Sequence, residues 1–154
     1  MRTKTILASV VAFVAGVGLA FAADPQLGTW KLNEGKSKLN AAITKNTTVV
    51  YAMAGDSVKV TVDGVDKDGK PSHNEWTGKF DGKDYAVTGD PTSDVRAYKK
   101  IDANTLELTA KKGGAMTLSG RIAVSADGKS RTVTVSGTDS AGKKVTSTAV
   151  YDKQ

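Results

Sequence analysis

Cysteine is absent from this 154-residue sequence, histidine occurs once, and proline three times. The first absence removes disulfide-stapled scaffolds, Cys-ligated metal centres and thiol chemistry. The second removes any multi-His metal site, so no metal or cofactor is expected. His73 and Glu75 are two apart on one strand face and have the chemistry of a base and its orienter. No Ser occupies a nucleophile-elbow context, however, and Ser72 is merely adjacent. The pair reads as an exposed one on the wet face opposite Trp76. Gly-rich phosphate loops are missing too, because each Gly cluster joins strand to strand and none opens a helix. Lysines stand singly or in pairs (Lys99-Lys100, Lys111-Lys112, Lys143-Lys144) without a basic stripe or stacking rings, so a nucleic-acid surface is not expected. Asp63, Asp66 and Asp68-Gly69 lack the spacing of a known calcium loop and read as turn chemistry. No enzyme is expected on these grounds. The exception, a barrel-type lipid isomerase or cyclase, would need His73, Glu75 or Tyr85 to face inward.

Long apolar runs are equally scarce, with one exception at the start. Arg2 and Lys4 precede an uncharged stretch from Thr5 to Ala23 that ends in Ala20-Phe21-Ala22. This is the pattern of a secretory signal peptide over residues 1–22, with the mature chain starting at Ala23. The rival reading is a retained anchor, since the run approaches a membrane-spanning length. The small-x-small ending and the Asp24-Pro25 break favour cleavage. The expected location is therefore outside the cytoplasm, periplasmic or secreted, with no membrane insertion after cleavage. The net charge of +6 belongs to all 154 residues; taking away Arg2 and Lys4, and no acid, leaves +4 on residues 23–154.

What is present is alternation. After Asn46 apolar residues recur every second position, as in Val58-Val60-Val62, Leu106-Leu108, Ile122-Val124 and Val133-Val135, with Lys, Thr, Ser and Arg between them. One face of each strand is dry and the other wet, which is the signature of an antiparallel sheet. Gly55-Asp56, Asp68-Gly69, Asp81-Gly82, Gly89-Asp90, Ala103-Asn104, Gly113-Gly114, Asp127-Gly128 and Ala141-Gly142 punctuate these runs with hairpin turns. About ten strands follow, around Trp30, Val50, Val60, Trp76, Val87, Tyr98, Leu108, Leu118, Val133 and Ala149. Residues Asn33 to Lys45 leave room for one or two helical turns only. With no helix to cover the dry face, the sheet must curl on itself. The fold class is all-β: an antiparallel up-and-down meander over residues 23–154, closed into one barrel domain of about ten strands. A flattened two-sheet sandwich is the alternative. An outer-membrane barrel would need apolar residues outside and aromatic girdles, whereas these strands pair their dry face with Lys, Asp and Thr. Residues 60–70 and 133–143 match at seven of eleven positions, through either a duplicated half-barrel or shared turn chemistry.

Gly28-Thr29-Trp30 opens the domain and Ala149-Val150-Tyr151-Asp152-Lys153 closes it. In these features the chain resembles the calycins, the lipocalins and cytosolic fatty-acid-binding proteins. The resemblance implies a lipocalin-like barrel with the Trp30 indole across its base. It departs from fatty-acid-binding proteins at Ala149, where their ligand-clamping Arg would stand. The leader, the Gly-Thr-Trp-Lys-Leu-Asn start and the Ala-Val-Tyr-Asp-Lys-Gln end also resemble a group of small exported bacterial proteins of no known activity, which transfers no site. The expected function is capture of a small hydrophobic or amphipathic ligand inside the barrel, by a monomer. The alternative is an envelope protein-binding or inhibitor module that uses the barrel surface. Met53, Trp76, Phe80, Tyr85 and Met116 are the candidates for lining a cavity. Arg96 and Tyr98 share a face: turned inward, Arg96 needs an anionic partner such as a ligand carboxylate, and turned outward it pairs with Asp94 or water.

Overall fold

The computed structural model describes residues 23–154; the leader expected over 1–22 lies outside the described residues. Ten antiparallel strands form a closed barrel: β1 (Gly28–Leu32), β2 (Lys45–Ala54), β3 (Ser57–Val65), β4 (Pro71–Gly78), β5 (Tyr85–Thr88), β6 (Val95–Lys100), β7 (Thr105–Lys112), β8 (Ala115–Val124), β9 (Ser130–Thr138) and β10 (Lys144–Lys153). Each strand pairs with its neighbours in sequence, and β1 closes the ring by pairing with both β2 and β10. The architecture is the up-and-down meander that the alternation dictates, and the two-sheet sandwich is set aside by the closure. A single 3-10 turn (Glu34–Lys36) is the helical element among the described residues, capped by the Asn33 side chain.

The turns follow from backbone chemistry. Gly55, Gly69, Gly82, Gly89, Gly113, Gly114, Gly128 and Gly142 all have positive φ, and no other residue type among the described residues does. The two similar hairpins, β3–β4 and β9–β10, share one network. Asp66 Oδ1 accepts from the Asp68 and Lys70 amides, and Asp139 Oδ1 from those of Ala141 and Lys143, each at 2.9 Å. Asp66 is thereby a turn-forming residue.

The inward face carries Trp30, Val49, Tyr51, Val58, Val60, Val62, Trp76, Val87, Tyr98, Leu106, Leu108, Ile122, Val124, Val135 and Tyr151. At the closed end Trp30 is fully buried and its Nε1 donates to the Gln26 carbonyl at 2.9 Å. Gln26 in turn donates to the Asn104 carbonyl, and Asp24 pairs with Lys100, so the segment ahead of β1 is tied across the barrel floor. The glycine of Gly28-Thr29-Trp30 has a local cause. Its φ is 124°, and a Cβ there would meet the Lys153 side chain at 2.8 Å. Lys153 lies across Gly28 to place its ammonium 5.1 Å from the Trp30 ring centre.

Candidate functional site

The barrel encloses a cavity of about 690 Å³ that opens at the end formed by the β1–β2, β3–β4, β5–β6, β7–β8 and β9–β10 connections. Leu39, Ile43 and Pro91 stand at its mouth. The segment after the 3-10 turn is held there by Lys38, whose amide donates to the Thr148 carbonyl at 2.7 Å, and by the Asn40 amide on Ser147 Oγ. Deeper, Val49, Val62, Ile122, Val133, Val135 and Ala149 make an apolar wall. The floor is aromatic and cationic, built from Tyr51, Tyr98, Tyr151 and Arg131.

The candidates named from sequence separate by height in the barrel. Arg96 and Tyr98 line the cavity. Trp76, Phe80 and Tyr85 lie below it and fill the closed end: Trp76 meets Tyr98 edge-on at 4.7 Å between ring centres and Tyr85 at 5.7 Å, and Phe80 leans on Tyr51 and Tyr98. Met53 and Met116 are both exposed and off the cavity. Met53 is next to the β2–β3 turn at the closed end. Met116 follows the β7–β8 turn at the open end and borders a separate hollow of about 230 Å³. His73 and Glu75 point outward: His73 Nδ1 is 2.6 Å from Asp63 Oδ1, and Glu75 pairs with Lys59 at 3.1 Å. The Tyr85 hydroxyl donates to Asp81 at 2.7 Å on the exposed side.

Arg96 turns inward, against the outward pairing with Asp94. Its partner is Asp90, whose Oδ2 accepts from NH2 at 3.0 Å, and Asn74 Oδ1 lies 3.3 Å from NH1. Asp94 instead accepts from the Gly113 amide. Burial works to raise the Asp90 carboxyl, but hydrogen bonds from Ser93 and Thr92 and the Arg96 charge outweigh it and hold it below the usual carboxylate range. The anionic partner that an inward Arg96 requires is thus supplied by the chain itself.

Arg131 is the residue that sequence reading missed. It is 2% exposed, and its guanidinium carbon lies 4.8 Å from the Tyr51 ring centre, 4.9 Å from Tyr151 and 5.0 Å from Trp30. Its Nε and NH1 have no hydrogen-bond partner among the described residues. The surrounding phenols stay neutral. Burial pushes the Tyr151 hydroxyl up to about 12, and it donates to the Asn46 carbonyl at 3.0 Å. Burial, reinforced by Tyr98, raises Tyr51 further against the pull of Arg131. The signal for Arg131 was available: it is in phase with Val133 and Val135, two and four residues on, along an inward strand face.

No family model matches the chain, and no curated protein matches it significantly.

Proposed function

We propose that this protein is an exported, lipocalin-like carrier that holds one small hydrophobic or amphipathic molecule inside its barrel. The observation that carries the reading is the interior itself: about 690 Å³, with an aliphatic wall of Val49, Val62, Ile122, Val133 and Val135 and polar groups from Asn74, Asp90 and Arg96 toward the mouth to Arg131 at the floor. That volume and lining are those of small-molecule sites, which run from about 300 to 1,000 Å³. Three further features support it. The outward strand faces carry Lys59, Asp63, His73, Glu75, Glu107 and Arg121, a wall suited to water. The exposed large apolar side chains are divided between the ends, Leu39 and Met116 at the mouth and Met53 and Ile101 at the base, which gives surface docking little to work with. The side chains of His73 and Glu75 pair with Asp63 and Lys59 on the outer face, which favours binding over catalysis by that pair.

Native mass spectrometry of protein taken from the exported fraction of its own host tests this reading. One small-molecule adduct on a chain beginning at Ala23 is the expected result. Bare protein in every preparation, or a chain retained with its leader, would overturn it.

A further inference from the structure

The cavity has a polar side as well as an apolar one, and the polar side carries its charges already paired. From this we infer that the barrel selects a ligand with a neutral carbonyl head, an ester or amide and not a free acid, whose oxygen is held by the Asn74 amide on the inner face of β4. The inference rests on the interior being a ligand site and names the chemical class and the contact that selects it.

Asn74, Asp90 and Arg96 line the cavity on the side of β4 to β6. Asp90 is fully engaged: Oδ1 accepts from the Thr92 amide and hydroxyl, and Oδ2 accepts from Ser93 Oγ and from Arg96 NH2 at 3.0 Å. Its charge offsets that of Arg96, and both of its oxygens have their lone pairs occupied. Asn74 differs. It is 8% exposed, and its Oδ1 accepts from Arg96 NH1 at 3.3 Å. That bond fixes which end of the amide meets the guanidinium, and it turns Nδ2 away without an acceptor among the described residues. Ser72, two residues toward the mouth on the same inward face, has a buried Oγ that also lacks a partner. A buried N–H left without an acceptor is costly, and an oxygen brought by a ligand removes that cost.

Charge balance and topology then set the class. An anionic head at Asn74 would find Arg96 already paired and would lie beside the Asp90 carboxylate, so its desolvation would go uncompensated. A cationic head would meet a carboxylate whose acceptor positions are filled. A neutral carbonyl oxygen needs only the N–H that Asn74 holds out. The other buried cation does not alter this, because Nε and NH1 of Arg131 are buried among the Trp30, Tyr51 and Tyr151 rings at the floor. In the ring of ten strands β4 is diametrically across from β9, so Asn74 stands opposite Val133 and Val135. An acyl chain attached to a carbonyl on Asn74 therefore has an aliphatic wall to cover.

The test uses methyl octanoate, octanoate and octane, which carry a neutral carbonyl, an ionised one and none, added to residues 23–154 at a pH where the acid is ionised. Infrared spectroscopy of isotope-labelled methyl octanoate on the wild type should show the ester carbonyl at lower frequency than in hydrocarbon solvent, as an accepted N–H bond requires. Asn74→Asp keeps the oxygen that Arg96 uses and replaces the donor by an acceptor. It should weaken methyl octanoate about three- to tenfold, the scale of one hydrogen bond. Octane affinity should stay as it was, and the ester carbonyl should return to its hydrocarbon frequency. The infrared readout on the wild type holds whether or not the variant folds. A hydrocarbon-like carbonyl in the wild type, a lowered frequency that survives in Asn74→Asp, a variant that loses no ester affinity or loses octane equally, or tighter binding of octanoate than of its ester would overturn the inference and leave the carrier reading standing. Failure of all three to bind would overturn the carrier reading as well.

Discussion

At the scale of single residues, Lys59, Lys79, Lys111 and His73 have carboxylate partners on the outer wall, while inside, among the described residues, Arg96 has one and Arg131 has none. On the outer wall the hydrogen bond to Asp63 lifts His73 above its ordinary 6.5 against desolvation, with the Asp63 charge and Glu75 adding to the rise. The folded value is the raised one, so the stabilisation is fully present below the unfolded pKa and is lost as pH rises through the folded value. Imidazole titration by NMR should place His73 above 6.5, and Asp63→Asn should bring it down; a wild-type value at or below 6.5 contradicts the geometry. Inside, parity along a strand told which face a residue takes and left open how high it stands in the barrel. Met53 is in phase with Val49 and Tyr51 but stands exposed at a hairpin end, and Met116 loses the phase of Leu118 at the register shift that sets it opposite Lys111. Arg131 obeys the same parity as Val133 and Val135, yet composition reasoning assigns an arginine to water. Only the three rings from β1, β2 and β10, far apart in sequence, reveal where its side chain goes.

Among the elements, the strands and turns were legible because each rests on local rules: alternation for the strands and positive φ for the hairpin glycines. The seam around β5 rests on something less local. This strand has four residues and makes two register pairs with each neighbour, Glu75 and Trp76 on one side and Val95 and Arg96 on the other. Its short ladder is supplemented from β4, where Trp76 Nε1 donates across β5 to the Arg96 carbonyl at 2.8 Å. The Tyr85 ring packs in the space that Gly78 leaves open: a Cβ there would meet Tyr85 at 2.5 Å and Trp76 at 2.7 Å. Gly78→Ala must push the aromatic cluster off its packing and is expected to cost about 1–3 kcal/mol in chemical denaturation. A variant as stable as wild type would show that the seam does not depend on that contact. The same substitution at Gly55, beside open space, meets no atom and carries only the strain of its positive φ.

For the whole molecule, ring closure hides both sheet edges and leaves an interior that the side chains do not fill. Closure was legible, since a ten-strand meander with one dry face and no covering helix has few other places to put that face. The cavity was legible only as an expectation, because an open interior and a filled one share the same alternation. The difference lies in side-chain volume: Trp30, Trp76, Tyr85 and Phe80 fill the closed end, while shorter side chains such as Val62, Val133, Val135, Ala149, Asn74 and Ser147 line the space above and leave it empty. The central claim is that this space admits a ligand, and methyl-resolved NMR during a dodecanol titration tests it without reliance on any charged group. The account predicts saturable one-to-one shifts in the methyls of Val62, Ile122, Val133 and Val135, with those of the outlying Met53 unmoved. Interior methyls that stay in place while protein and amphiphile coexist at saturation would contradict it.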